Sequence, residues 1–301
     1  MKKLSGSICA LATPFRADAI DLDAFGRLID QQLDGGTQAL VVAGSTGEAH
    51  ALEADEFEQL LKFAVARVAG RVPVLAGTGT ANTRKTINAT RRAAACGADA
   101  ALVVTPYYVR PTQQGLVRHF SEVADQGGLP VVLYNVPSRT GCDMLPETVA
   151  QLATHAGIVG IKEARVDAER MQALLLLQSP QFSILGGDDA TCQRAMQAGA
   201  DGVISVAANA APRQLRALCD AARERDVERA KRIDADLAGL FELLGVEPNP
   251  IPVKWCLQLL GLSAAEPRLP LLPLSAGHRE QAAQVMAALP DYAPVRQSDA
   301  A

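Results

Sequence analysis

The sequence predicts a (β/α)8 TIM barrel with a C-terminal helical appendage. Eight short apolar runs rich in β-branched residues, separated by longer stretches with helical periodicity, begin near Ile8, Ala39, Val72, Ala101, Pro130, Ile158, Phe182 and Gly202. A strand followed by a helix, repeated eight times over roughly 220 residues, is the pattern of this barrel. Because the chain beyond Pro212 shows only helical patterns, we expect the barrel to span residues 1–224 and the appendage residues 225–301.

Signals for helix ends and starts support this alternation. Residues suited to the left-handed conformation of a helix C-terminus stand shortly before three of the runs, at Gly36, Gly97 and Gly199. Residues typical of helix starts are found at Asp21, Asn82 and Pro146. The runs are therefore separated by complete helices rather than by loops alone.

A doubly wound open sheet is the alternative fold, because alternation alone does not distinguish an open sheet from a closed one. A dinucleotide fold of that class would carry a Gly-x-Gly-x-x-Gly fingerprint. Gly77 and Gly79 start such a pattern, but no third glycine follows at the required spacing. The barrel is therefore the preferred prediction.

Composition predicts a globular, cytoplasmic chain that handles small molecules. Of the 301 residues, 49% are hydrophobic and 21% charged, with a net charge of -4, and the cations are scattered among acids. These values disfavour a nucleic-acid partner. No run approaches membrane-spanning length, and the N-terminal apolar stretch is too short for a signal peptide. The six cysteines lack paired spacing, so we expect reduced thiols rather than disulfides.

Polar residues gather where predicted strands end, which is where active sites of this barrel lie. Ser45 and Thr46 follow the second run, Tyr108 lies in the loop after the fourth, Tyr134 ends the fifth and Lys162 ends the sixth. Gly187 follows the seventh run and Ser205 ends the eighth.

Lys162 is the leading candidate for chemistry. At the end of a buried strand, desolvation is expected to lower its pKa, and a neutral amine is a nucleophile for carbonyl carbons. The alternative is a lysine whose head reaches water while its stem packs inside. A two-residue period places Ile158, Gly160 and Lys162 on one face, with Gly160 leaving room beneath the lysine. Tyr134 on the neighbouring strand would then allow proton transfer beside imine formation.

Three loops could bind substrate. The glycine-flanked turn at residues 44–48 offers N–H groups and hydroxyls to a carboxylate, or is an ordinary strand-to-helix turn. Arg139 suits a bidentate grip on a carboxylate, or is a surface arginine. Tyr107 and Tyr108, between prolines, form an aromatic loop over a pocket, at a subunit contact, or packed on its own loop.

No metal site is predicted. The four histidines, His50, His119, His155 and His278, lack the spacing of ligands on one element. Asp188 and Asp189 are expected to cap a helix rather than bind magnesium. Lys254 is expected to fix a helix start.

Six segments together resemble the dihydrodipicolinate synthase and N-acetylneuraminate lyase family of class I aldolases, with matching order and spacing over nearly the whole chain. They are residues 44–48, 105–111, 134–141, 160–163, 187–189 and 246–254. The resemblance implies a (β/α)8 barrel that forms an imine with pyruvate and needs no metal or organic cofactor. The motif at residues 134–141 resembles the synthase branch.

The resemblance also implies roles for single residues. Lys162 would attack the keto carbon of pyruvate, and Tyr134 would shuttle protons through Ser45 and Tyr108. The pyruvate carboxylate would rest on the turn at Ser45 and Thr46, above backbone contacts from Gly187 and Ile204. Arg139 would grip the carboxylate of aspartate semialdehyde, and the product would be hydroxytetrahydrodipicolinate, an intermediate toward lysine. Members of the family are commonly homotetramers, dimers of tight dimers in which Tyr108 would cross into the partner's site.

Two departures from the family are visible. Ser45 stands where the synthases typically carry threonine, so a hydroxyl remains but its χ1 is freer. The family's site for inhibition by lysine would fall at Ala49, His50, Ala54, Phe57, Ala81, Lys85 and Tyr107. Because Lys85 would repel the ammonium of a lysine ligand, we predict weak or absent inhibition.

Other functions stay open at the level of sequence. The nearest is another Schiff-base pyruvate aldolase of this family, acting on a sugar-derived aldehyde. A non-catalytic barrel that binds oxo-acids and a metal-dependent aldolase are more distant alternatives.

Overall fold

The chain folds into a closed barrel of parallel strands surrounded by helices, as predicted, and the computed structural model describes residues 2–290. In chain order the strands are β1 (Gly6–Ala10), β2 (Phe15–Arg16), β3 (Ala19–Ile20), β4 (Ala39–Val42), β5 (Val74–Gly77), β6 (Ala100–Val104), β7 (Val131–Asn135), β8 (Ile158–Glu163), β9 (Ser183–Gly186) and β10 (Gly202–Ser205). The short pair β2 and β3 forms a separate antiparallel hairpin. The other eight close in the order β1, β10, β9, β8, β7, β6, β5, β4, which excludes the open sheet.

Within the described residues, at least one helix follows every barrel strand, two follow β7, and three more form the appendage. The helices are α1 (Leu22–Asp34), α2 (Ala54–Val68), α3 (Thr83–Ala95), α4 (Gln113–Gln126), α5 (Pro137–Thr140), α6 (Pro146–Ala153), α7 (Ala168–Leu175), α8 (Cys192–Ala198), α9 (Pro212–Arg223), α10 (Val227–Leu243), α11 (Ile251–Leu259) and α12 (Ala276–Ala288). None of the helices in residues 2–290 is long and apolar enough to cross a membrane.

Local signals in the sequence mark these helices correctly. The Asp21 carboxylate accepts a hydrogen bond from the N–H of Ala24 at 2.9 Å and caps α1, and Asn82 caps α3 in the same way. Pro146 is the first residue of α6. Gly36, Gly97 and Gly199 all have positive φ angles just after a helix, so all three predicted helix ends are confirmed.

Alternation along the strands produces two apolar layers. Inward-facing residues of the barrel form one cluster, which includes Ile8, Leu102, Tyr134 and Ile204. Outward-facing residues pack against the helices in a larger cluster. The inner cluster lies beneath the mouth of the barrel, so residues at the strand ends are set on a rigid base.

One register prediction is wrong. Between two paired positions β8 holds one residue more than β7, which makes a β-bulge at Val159. Ile158 therefore packs in the outer layer and Val159 against the inner cluster, the reverse of the predicted alternation. Downstream of the bulge, Lys162 pairs in register with Tyr134, which belongs to the inner cluster.

The appendage returns to the mouth of the barrel. Helix α10 packs on α9, the last barrel helix, and α12 packs on both α10 and α11. Residues 249–268, which include α11, contact the turn at residues 44–48 through Asn249, Lys254 and Arg268. The boundary at residue 224 stays a prediction, and residues 291–301 lie outside the described residues.

Candidate active site

A cavity of about 710 Å³ opens at the carboxyl end of the barrel strands. Its wall includes Ser45, Tyr134 and Arg139, three of the residues predicted from sequence. Among residues 2–290, three cationic side chains, Lys85, Arg92 and Arg139, line the cavity, against the single carboxylate of Glu53. This balance of charge suits an anionic ligand such as an oxo-acid.

Lys162 lies beside Tyr134, one of the residues that line the cavity. The two are the paired residues of adjacent strands, and the Lys162 Nζ lies 4.5 Å from the centroid of the Tyr134 ring. Lys162 is only 4% exposed and Tyr134 only 7%, so the lysine head does not reach bulk water. The structure therefore rejects the alternative of a snorkelling lysine and brings the predicted nucleophile and phenol together.

Gly187 lies against the stem of Lys162. A Cβ at this position would stand 3.0 Å from the Lys162 Cε and 3.0 Å from the carbonyl oxygen of Glu163. Ile204 is fully buried in the same inner cluster as Tyr134. Gly160 does not have the predicted role, because a Cβ there would meet the carbonyl oxygen of Ser183 at 2.6 Å rather than the lysine stem.

The turn at residues 44–48 is tightly held. Its Ser45 carbonyl accepts a hydrogen bond from the N–H of Glu48, and the Thr13 hydroxyl donates to the carbonyl of Gly47 at 2.7 Å. The adjacent strand approaches so closely that a Cβ at Gly77 would stand 2.1 Å from the Ala43 carbonyl oxygen. Only glycine fits at position 77. This explains why a glycine starts the Gly-x-Gly pattern there, although no dinucleotide fingerprint follows.

Asn249 connects two predicted substrate-binding residues, although no role is predicted for it from the sequence. Its amide nitrogen donates to the Thr46 hydroxyl at 3.0 Å, while its backbone carbonyl accepts from the Arg139 guanidinium at 3.2 Å. Thr46 is buried and Arg139 is exposed on the wall of the cavity. The resemblance of residues 246–254 to the family was the available signal, but it did not single out this asparagine.

Lys254 is the second buried lysine, and its predicted role is wrong. It lies inside α11 rather than at its start, where it is 1% exposed and forms an ion pair with the fully buried Glu48. Its Nζ also donates to the Glu266 carbonyl at 2.9 Å and lies over the Phe15 ring. Loss of water outweighs these attractions and lowers the pKa of Lys254 to about 8.

Tyr108 is not brought to Lys162 within one chain. It is 90% exposed, adopts a left-handed backbone conformation with φ of 71°, and does not line the cavity. Its neighbour Tyr107 does line it. The aromatic loop therefore presents Tyr108 to the outside of the molecule.

The acidic residues and histidines that were not expected to bind a metal have structural contacts. Asp188 accepts from the N–H of Thr191 before α8, but Asp189 accepts from the N–H groups of Val206 and Ala207 after β10, so helix capping is wrong for Asp189. Burial lowers the pKa of His119 to about 4. Within residues 2–290, no three His, Cys, Asp or Glu side chains form a group that could hold a metal ion.

Residues expected at the lysine-inhibition site lie along the same cavity as Ser45 and Tyr134. Those that line it are Ala49, His50, Ala54, Phe57, Lys85 and Tyr107. Lys85 is exposed there, and in the part of the chain that the structure describes the carboxylate of Glu53 is the one acidic group on the wall. Because cations outnumber anions on this wall, the wall repels the ammonium group of a lysine ligand.

Known proteins resemble this chain over nearly its whole length. The 4-hydroxy-tetrahydrodipicolinate synthase of Xanthomonas axonopodis pv. citri (strain 306) is 61% identical to this chain, and the match covers 94% of this chain and 94% of the length of that enzyme. The enzyme of the same name from Stenotrophomonas maltophilia (strain K279a) is 59% identical over 93% of this chain and 94% of its own.

A solved structure and a family profile agree with these relatives. The chloride-inhibited dihydrodipicolinate synthase from Acinetobacter baumannii, complexed with pyruvate, is 41% identical, covers 95% of this chain and 99% of its own, and superposes with a TM-score of 0.93. Residues 3–289 match the profile of the Dihydrodipicolinate synthetase family. With the barrel, the buried lysine and these relatives in agreement, the chain belongs to the dihydrodipicolinate synthetase family.

Proposed function

We propose that this chain is a lyase that condenses pyruvate with L-aspartate 4-semialdehyde to 4-hydroxy-tetrahydrodipicolinate, on the route through diaminopimelate to lysine. The observation that carries the proposal is the buried pair of Lys162 and Tyr134, whose nitrogen-to-ring distance is 4.5 Å. An amine and a phenol this close serve imine formation and proton transfer on one small ligand. The names of the curated relatives support the same reaction.

The reaction begins on Lys162. The nitrogen lone pair of its amine attacks the keto carbon of pyruvate, water leaves, and an imine forms. Loss of a methyl proton gives an enamine, and its terminal carbon attacks the aldehyde of the second substrate. The amino group of that substrate then adds to the imine carbon and expels the lysine amine, which closes the ring and frees the enzyme.

Neighbouring residues guide these steps. Tyr134 moves protons to and from the reacting centre, and its relay runs through the hydroxyl of Ser45 to Tyr108. The pyruvate carboxylate rests on Thr46 and the turn before it, with backbone contacts from Gly187 and Ile204. Arg139, exposed on the cavity wall, grips the carboxylate of aspartate semialdehyde.

The relay requires a second copy of the chain. Tyr108 points away from its own cavity and is 90% exposed, which fits a residue that completes the site of a partner. The assembly is a homotetramer built from two tight dimers, and it works in the cytoplasm. Residues 1–224 carry the chemistry, and residues 225–301 form the appendage.

Borohydride trapping tests the proposal. Pyruvate and borohydride should attach a reduced three-carbon adduct to Lys162, identified by peptide mapping, and Lys162→Ala should abolish it. A coupled assay should then show turnover with aspartate semialdehyde and far less with a sugar-derived aldehyde. Failure to trap pyruvate would refute Schiff-base chemistry, whereas trapping with preference for the sugar-derived aldehyde would assign the chain to a sibling aldolase.

A further inference from the structure

A buried polar pair lies directly behind the reactive residues. Asn135 follows Tyr134 on β7, Glu163 follows Lys162 on β8, and the two are paired in register. Because side chains alternate along a strand, Asn135 and Glu163 point to the outer side of the barrel wall. Asn135 is fully buried and Glu163 is 1% exposed, although the layer around them is mostly apolar.

The two side chains bind each other closely. The Asn135 amide nitrogen donates to both carboxylate oxygens of Glu163, at 3.1 and 3.0 Å. The Asn135 amide oxygen accepts from the N–H of Met144 at 3.0 Å, and Glu163 accepts from the N–H of Arg165 at 2.9 Å. The backbone carbonyl of Glu163 also accepts from the N–H of Gly187 at 2.7 Å.

Strand register explains why such a contact is needed here. The bulge at Val159 already shifts β7 against β8, and both strands end at Asn135 and Glu163. One further backbone hydrogen bond joins the two segments beyond this pair, from the N–H of Ala164 to the carbonyl of Asn135 at 3.0 Å. A slip of one residue would turn Lys162 or Tyr134 to the other side of the barrel wall. The contact between the two side chains fixes the register at the end where chemistry takes place.

Charged groups around Glu163 offset part of the free-energy cost of burying its carboxyl group. Arg170 lies 3.7 Å from its carboxylate and binds Asp143 at 2.6 Å, while Asp143 also accepts from Asn135 at 2.8 Å and from Arg165 at 3.0 Å. Burial nevertheless raises the pKa of Glu163 to about 7.

We propose that Glu163, together with Asn135, is a positioning residue that fixes the register of β7 and β8 and so holds the Lys162 amine over the Tyr134 ring. Neither residue touches substrate. The inference rests on the proposed function, because its consequence is the rate at which Lys162 captures pyruvate. A small displacement of reacting groups is enough to slow such a step by orders of magnitude.

The test compares Glu163→Gln with Asp143→Asn. Both replace a carboxyl group of the same cluster by an amide, but Asp143 lies in the loop after α5 and not on a barrel strand. We expect Glu163→Gln to slow borohydride-trapped imine formation and to lower kcat by about tenfold or more. We expect Asp143→Asn to trap pyruvate within about twofold of the parent, whatever its effect on thermal stability.

A second variant keeps the test decisive if Glu163→Gln folds poorly. Asn135→Ala removes the other half of the contact, and we expect the same slow trapping from its folded fraction. The double variant should be no slower than the slower single variant, because both changes act through one contact. Parental trapping rates in the folded variants, or equal losses in Asp143→Asn, would overturn the inference. If the parent itself traps no pyruvate, the proposed function fails instead.

Discussion

Replacing Lys254 alone should be far more harmful than replacing it together with its partner. Lys254→Met leaves the Glu48 carboxylate fully buried without its cation, although the N–H of Arg268 still donates to it at 2.9 Å. An uncompensated buried charge of this kind costs about 3–5 kcal/mol. Glu48 belongs to the turn at residues 44–48, where we propose that the pyruvate carboxylate binds, so the KM for pyruvate should rise as well.

The double variant Lys254→Met/Glu48→Gln should recover most of that loss. Neither residue is then charged, and the glutamine still accepts the hydrogen bond from Arg268, so we expect stability within about 1 kcal/mol of the parent. Urea unfolding of the parent, both single variants and the double variant gives the interaction energy directly. A loss below about 1 kcal/mol in Lys254→Met, or simple addition of the single effects in the double variant, would refute the reasoning.

Three further outcomes are expected. Gly187→Ala should slow imine formation, because its Cβ would stand 3.0 Å from the lysine stem, and unchanged trapping would count against that contact. Tyr108→Phe should lower turnover without lowering the melting temperature. Mixing it with Lys162→Ala should restore activity through hybrid dimers, and no rescue despite confirmed subunit exchange would contradict a Tyr108 that is shared between subunits. Lysine should inhibit weakly or not at all, whereas strong inhibition at sub-millimolar concentration would show that Lys85 does not exclude it.

Local patterns made most of the fold predictable. The eight runs, the caps at Asp21 and Asn82 and the glycines after helices depend on neighbouring residues only, and all were confirmed. The reversed order of Ile158 and Val159 was not predictable, because a bulge is defined by the partner strand. Strand periodicity placed Lys162 correctly only because the bulge lies before it.

The site was predictable where it depends on strand ends and missed where it depends on distant segments. Lys162 and Tyr134 come together because parallel strands end at one edge of the sheet. Lys254 and Glu48, by contrast, are about 200 residues apart along the sequence, and no local pattern indicates which residue of the appendage reaches the barrel. Asn249 was missed for the same reason.

Asn249 connects the binding sites proposed for the two substrates, which are usually treated as separate. Its side chain holds the hydroxyl proposed for the keto-acid, while its main chain holds the guanidinium proposed for the aldehyde. A substitution that moves Arg139 so that a new aldehyde can bind will therefore also change the affinity for the keto-acid. Laboratory evolution of this enzyme should accordingly vary Asn249 alongside Arg139, since neither preference can be tuned in isolation.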